Sequence, residues 1–350
     1  MARVVIFAPA PTLTITVEEL RGEPDLHLHV GGQGVWQARM LTALGVDVAL
    51  VCTVTGEAGR ISRHLLDAEG FDVSAIDREG ISPAYIHDRR GGERVAIVEA
   101  QGEPLSRHAL DALYSAMLRE AAEGDLVILS GPDGDRTLEA DVYRRLASDM
   151  RELGKPVLVD LSGDRLAASL VGGVDVLKVS HKELVEDGRV DDGDDEAQLL
   201  AAARELADSG IALVAVTRAE AGSIVVGERG AWRAVAPELE PVDPRGAGDS
   251  YTAGLAAVLA GGGSHEEAVR LAAAAGAVNA TRRGLGTGDA EAIRAIAEQV
   301  ELQDLDGDGR DGADGGSQRR AADDATAGTT GGKTGDDTDD DTGDERDEDD

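Results

Sequence analysis

The chain has 350 residues and carries 68 acidic against 34 basic side chains, a formal net charge of −34 at pH 7. That balance excludes a nucleic-acid binder held by phosphate contacts, because such a surface must be basic. The single cysteine, Cys52, excludes an intramolecular disulfide framework and leaves too few thiolates for a cysteine-based zinc site.

In chain order, short Val/Ile/Leu runs at 3–8, 46–54, 125–130, 156–161, 174–180 and 211–217 read as buried strands, each too short and too β-branched for a helix. Amphipathic stretches at 35–44, 110–122, 138–153 and 195–209 lie between them and read as helices. Strands separated by helices imply crossover connections, so the expected fold class is α/β, a three-layer α/β/α arrangement with a largely parallel central sheet. Two segments break the alternation. Residues 12–30 and 82–100 mix polar and apolar positions around turn signals such as Arg90-Gly91-Gly92, and are expected to form a small β-sheet lid over the carboxyl ends of the main sheet. A hairpin is expected after Ser223, then three helices near 247–260, 265–280 and 289–300. Residues 301–350 hold 19 acidic and 5 basic side chains among Gly, Thr and Ala, and read as an acidic disordered tail behind a domain spanning 1–300.

The strongest chemical signal is Asp243-Pro244-Arg245-Gly246-Ala247-Gly248-Asp249-Ser250, followed at once by the helical run YTAGLAAVLA. Glycines at a helix mouth leave backbone N–H groups pointing at one spot, where the helix dipole adds positive charge, so the segment reads as an anion cradle. Asp249 in the first turn is placed to take a proton from a hydroxyl while the amides of Gly246, Ala247 and Gly248 hold a transferred phosphoryl group. The plainer reading, a glycine turn with Asp249 as an ordinary first-turn acid, stays open on the motif alone.

The GAGDSYTAG stretch resembles the second signature of the ribokinase-like (PfkB) sugar kinases, and further segments agree in order. Gly31, Gly32, Gln33 and Gly34 resemble the first, GGKG-type signature. LVDLSGDRLAASL (158–170) and DVLKVSHKEL (175–184) resemble the branch that contains the 1-phosphofructokinases and tagatose-6-phosphate kinases. Thr217 to Gly222 resembles the segment lining the nucleotide phosphates, and Asn279 with Gly284, Leu285 and Gly286 resembles the adenine end of the site. The resemblance implies an ATP-dependent phosphotransferase acting on the alcohol group of a sugar or sugar phosphate, most nearly a 1-phosphofructokinase. It implies Asp249 as base, Gly246, Ala247 and Gly248 as anion hole, Lys178, Ser180, Thr217, Gly222, Asn279 and Gly284 on the nucleotide, and Glu183 organising Mg2+. On its own, Glu183 reads more simply as a solvated helix residue.

Departures fall mainly on the acceptor side, where Thr12, Gly31, Gly32, Gln33, Gly34 and Trp36 are the residues expected to line the substrate. The NPALD-like segment reads Ala8-Pro9-Ala10-Pro11-Thr12, the GGKG lysine is Gln33, and the asparagine beyond is Trp36. Residues 82–85 lack the expected arginine, and the SGSLP-like turn reads Ser130-Gly131-Pro132-Asp133-Gly134. Loss of cations weakens the grip on a phosphosugar dianion. Alternatives are therefore a kinase of an uncharged ketose, a sugar acid or a nucleoside, or a catalytically silent ligand-binding regulator on the same scaffold. On the nucleotide side KPN has become Lys178-Val179-Ser180.

Signals set aside are His27 and His29, which alternate as a metal pair could but lack a third ligand and read as plain strand residues, Trp36, which could stack on a sugar or equally pack its helix, and Asp304, Asp306, Asp308 and Gly309, which mimic the start of a calcium loop whose twelfth position is Gly315 rather than Glu. Few aromatics, 4 lysines beside 30 arginines, and acid spread along the chain suit a halophilic cytosol. With no apolar run of about 18 residues and too short an apolar start for a signal peptide, the expectation is a cytoplasmic protein without membrane or nucleic-acid partners. A homodimer through the lid strands is a further expectation.

Overall fold

The computed structural model describes residues 2–132, 134, 136–282 and 284–306. Asp133, Asp308, Gly309, Gly315 and the polyacidic end lie outside them. In chain order the elements are β1 (Arg3–Phe7), β2 (Thr12–Leu20), β3 (Glu23–Gly31), α1 (Gln33–Ala43), β4 (Asp47–Thr55), α2 (Gly56–Leu66), β5 (Asp72–Arg78), β6 (Pro83–Asp88), β7 (Val95–Gln101), α3 (Arg107–Glu123) and β8 (Leu126–Ser130). There follow α4 (Ala140–Glu152), β9 (Val157–Asp160), α5 (Gly163–Gly172), β10 (Val176–Ser180), α6 (His181–Glu186), α7 (Glu196–Asp208), β11 (Leu213–Thr217), β12 (Ser223–Gly227) and β13 (Gly230–Val235). The last are α8 (Ala247–Leu259), α9 (His265–Ala280), α10 (Ala290–Ala297) and β14 (Glu301–Asp304).

Ten strands form one sheet in the order β14-β13-β12-β11-β10-β9-β8-β1-β4-β5. The run from β5 through β11 is parallel, and β12, β13 and β14 extend it antiparallel. Both faces are covered, which is why the central strands read as unbroken apolar runs. In β1, Val4 and Ile6 pack with α1, α8 and α9 on one face, while Val5 and Phe7 pack with α3 and α4 on the other. Phe7 meets Tyr143 edge to face, ring centroids 5.8 Å apart.

The two interrupting segments form a separate four-stranded sheet, β3-β2-β6-β7. Two antiparallel hairpins are joined by the parallel pair β2–β6. Residues 301–304, counted with the acidic tail in the sequence, instead pair with β13. The calcium-loop reading fails at its start: the Asp306 carboxylate is committed to Arg204 Nη2 at 2.6 Å and to the Ala231 amide at 3.0 Å.

Candidate active site

Strands β8, β9 and β10 end at Ser130, Asp160 and Ser180, and their carboxyl ends open on a cavity of about 760 Å3. Asp249 lines it from the first turn of α8, 9 % exposed. Gly246 precedes that helix with φ +74° and ψ 0°, a left-handed bend that a side chain would strain. Of the three amides expected in the cradle, Ala247 N–H turns to Pro244 O at 3.3 Å, and those of Gly246 and Gly248 head the helix. Gly248 has to lack a side chain for a second reason, since a Cβ there would stand 2.9 Å from Lys178 Nζ.

Lys178 and Asp160 are register partners on the parallel pair β9–β10. Lys178 Nζ donates to Asp160 Oδ1 at 3.0 Å, with side-chain exposures of 7 % and 0 %. Burial alone would lower the Lys178 ammonium, but Asp160, Glu183 and Asp249 outweigh it and hold its pKa above the usual lysine value. Burial raises the Asp160 carboxyl while Lys178 opposes it. With three donors converging on it, the carboxylate is the form the site accommodates. Its other oxygen accepts Thr252 Oγ1 at 2.7 Å from α8 and Gln37 Nε2 at 3.2 Å from α1. Gln37 Oε1 in turn accepts Ser130 Oγ at 2.5 Å, which fixes the orientation of the amide. Lys178, expected to meet a nucleotide, lies beneath the anion loop with one N–H donated to Asp160.

Glu183 lines the cavity together with Glu186 and Asp187. It also completes a capping box on α6: Ser180 Oγ accepts Glu183 N–H at 3.2 Å, and Glu183 Oε2 accepts Ser180 N–H at 2.7 Å. The Ser180 hydroxyl, expected on the nucleotide, serves this cap. Asn279 is likewise internal: 0 % exposed, it donates from Nδ2 to Arg245 O at 2.8 Å and accepts Thr287 N–H at 3.2 Å. It ties the anion loop to the 284–287 segment rather than presenting its amide to a ligand. Thr217 ends β11, and Gly222 closes the short 3-10 turn Ala219–Ala221; neither they nor Gly284 line the cavity.

On the acceptor side, Gly31 ends β3, Gly32 caps α1, Gly34 is buried within it, and Thr12 opens β2 fully buried. Gln33 and Trp36 line the cavity; Gln33 Oε1 accepts the Gly131 amide at 3.0 Å. Trp36 Nε1 is buried and has no hydrogen-bond partner among the described residues. Arg165, which sequence reasoning passed over, donates to the carbonyls of Pro132 at 3.2 Å and Gly134 at 2.5 Å and supplies a cation to the wall. Further positive charge gathers at the small sheet, where Arg94 meets His87 Nε2 and lies within electrostatic reach of Arg245 and Arg89. His27 sits as an ordinary strand residue, its Nε2 facing Asp25 Oδ2 at 3.1 Å and Glu18 Oε2 at 3.8 Å.

The chain matches the pfkB family carbohydrate kinase over residues 4–292. It is 28% identical over 316 residues to a 1-phosphofructokinase of Vibrio cholerae, covering 85% of this chain and 95% of that one. It is 31% identical to the bifunctional protein HldE of a Bradyrhizobium species over 81% of this chain, which spans 57% of that protein's length. Among solved structures, phosphofructokinase-2 of Escherichia coli superposes with a TM-score of 0.75 at 23% identity, covering 85% of this chain and 99% of that one. Ribokinase of Arabidopsis thaliana superposes with a TM-score of 0.64 at 20% identity, covering 85% and 99%. A ribokinase-like fold, a buried aspartate at a glycine-headed helix and the match across most of the sequence agree, and the chain belongs to the pfkB family of carbohydrate kinases, phosphotransferases acting on an alcohol group.

Proposed function

We propose that the protein transfers the γ-phosphoryl group of ATP to a hydroxyl of a sugar phosphate, most nearly fructose 1-phosphate. The observation that carries the reading is Asp249, buried at the mouth of α8 and lining the cavity that also holds Glu183, Gln33 and Trp36. The acceptor oxygen attacks the γ-phosphorus, its proton passes to an Asp249 oxygen, and the bond to the β-phosphate oxygen breaks to release ADP. The Gly246 and Gly248 amides stabilise charge on the transferred group. The hard oxygens of Glu183 suit magnesium, which needs few protein carboxylates. Glu183 would hold it, and the ion would neutralise phosphate charge.

Seven carboxylates and only Arg165 as a cation among the described lining residues favour a second reading, an uncharged acceptor such as a ketose or nucleoside. ATP consumption in molar potassium chloride with magnesium separates the two, using fructose 1-phosphate, fructose 6-phosphate, free ketoses, ketodeoxygluconate and nucleosides. Asp249→Asn is expected to cut turnover by at least about 10³-fold with ATP affinity nearly intact. Unchanged turnover rejects Asp249 as the base, and silence across the panel rejects the kinase reading in favour of a ligand-binding regulator.

The lid's outer face supports a second copy of this chain as partner. Leu28, Ile15, Ile86 and Val98 form one apolar row across all four strands, with Leu28 43% and Val98 44% exposed. Sedimentation velocity is expected to give a dimer that Leu28→Glu with Val98→Glu converts to a monomer; a wild-type monomer ends this reading.

A further inference from the structure

Asp160 joins three elements that the reaction uses separately. Helix α1 carries Gln33 and Trp36 into the cavity, α8 carries Asp249 and the anion loop, and β10 carries Lys178 beneath that loop. One carboxylate, 0 % exposed, accepts hydrogen bonds from all three: Gln37 at 3.2 Å, Thr252 at 2.7 Å and Lys178 at 3.0 Å.

The partners continue on either side. Behind Gln37 stand Ser130 and, donating to the Ser130 carbonyl at 3.0 Å, the Tyr143 hydroxyl. Ahead, Thr252 Oγ1 also lies 3.1 Å from Gly248 O. A hydroxyl has a single proton, so the Gly248 carbonyl and Asp160 compete for it, and the carboxylate at 2.7 Å has the shorter contact. Lys178 Nζ meets the same residue from below, 2.9 Å from where a Gly248 Cβ would lie. Two of the three Asp160 partners therefore touch the residue immediately before Asp249, and the third sits one turn along from Gln33.

A buried ion pair is weak evidence for stability, because well-packed apolar side chains of the same volume serve as well or better. What this pair specifies is direction: three donors from three elements meet one carboxylate, so a shift of α1 is felt by α8 through it. We propose that Asp160 is a positioning residue that couples the acceptor-side helix α1 to the base-bearing helix α8 through Gln37 and Thr252, with Lys178 as its counter-ion. The proposal rests on the kinase reading, since it assumes a nucleotide at α8.

The chain has two tryptophans, Trp36 on α1 and Trp232 on β13, so Trp232→Phe leaves Trp36 as the only indole and as a reporter of α1. A non-hydrolysable ATP analogue with magnesium is titrated into that background by fluorescence and, in parallel, by calorimetry. The expected result is a Trp36 emission change on binding that Thr252→Val abolishes while calorimetric affinity stays within about threefold, and that Thr252→Ser restores.

In steady state, Gln37→Met and Thr252→Val are each expected to lower kcat about tenfold with the KM for ATP unchanged. Their combination should again lower it about tenfold, because both cut the same link. The Asp160→Asn, Lys178→Met double variant removes the pair without stranding a buried charge and should reproduce the uncoupled behaviour. A Trp36 response that survives in Thr252→Val, or that is absent in the Trp232→Phe background although the analogue binds, overturns the proposal alone, as do multiplicative effects on kcat. Absence of any calorimetric binding overturns the kinase reading and the proposal with it.

Discussion

The imidazole of His29 lies on β3 where burial, aided by Arg39 and Arg94, lowers its pKa to about 4. An unfolded histidine takes its proton near pH 6.5, whereas folded His29 refuses it until about pH 4. Above pH 6.5 the residue contributes no pH dependence; between 6.5 and 4 the unfolded chain gains the proton first and stability falls. After screening of a part-exposed group the loss is on the order of 1–2 kcal/mol. Urea midpoints for wild type and His29→Gln should coincide near neutrality and separate in acid, with the variant the flatter; parallel curves reject the assignment. At the same scale, Gly248→Ala would drive a methyl against Lys178, which Asp160 prevents from retreating. Turnover is expected to fall at least about tenfold with a small change in melting temperature, a misplacement effect that steady-state kinetics will read. The places of Asp249 and Glu183 on the cavity wall were legible because each sits in a local motif. The Lys178–Asp160 pair was not, because its partners are brought together by the register of two parallel strands, which no local pattern announces.

Helices α8 and α9 approach through Gly254, where a Cβ would stand 2.5 Å from the Ala272 Cα and 2.8 Å from its nitrogen. Backbone cannot yield as a side-chain tip can, so Gly254→Ala should force the helices apart. A loss of about 1–3 kcal/mol is expected in denaturant unfolding; an unchanged midpoint would mean that the packing adapts freely. Element by element, the central strands were readable because both faces are buried and their sequences are continuously apolar. Strand β5, DVSAIDR, went unread: it is the edge strand, and its polar positions break the run. The strand β14, ELQD, was hidden in acidic composition, although Leu302 packs against the core. Helix α2 was missed as well, since its apolar positions are few and buried Gly59 and Ser62 form much of its inner face.

Over the whole molecule the charge of −34 is distributed along the chain, so repulsion opposes the compact state at low ionic strength. Screening shortens from about 10 Å at 0.1 M salt to about 3 Å at 1 M. The melting temperature is therefore expected to rise on going from about 0.1 M to about 2 M potassium chloride; a flat or falling curve would mean that paired charges dominate. No helix among the described residues is long and apolar enough to cross a membrane.

The division of the four-stranded sheet into two hairpins bears on the order of assembly. The β2–β3 and β6–β7 hairpins can each close locally, whereas the parallel β2–β6 pair that unites them spans the intervening α1, β4, α2 and β5 and is expected to form after those have docked on the main sheet. Non-local pairing of that kind is slow, because loop-closure entropy precedes any reward. Within the strands, amides of β2 facing β6 should gain hydrogen-exchange protection after those of β1 and β4 during refolding, and should be the first to lose it under native conditions. The small sheet is thereby expected to be the last element to form.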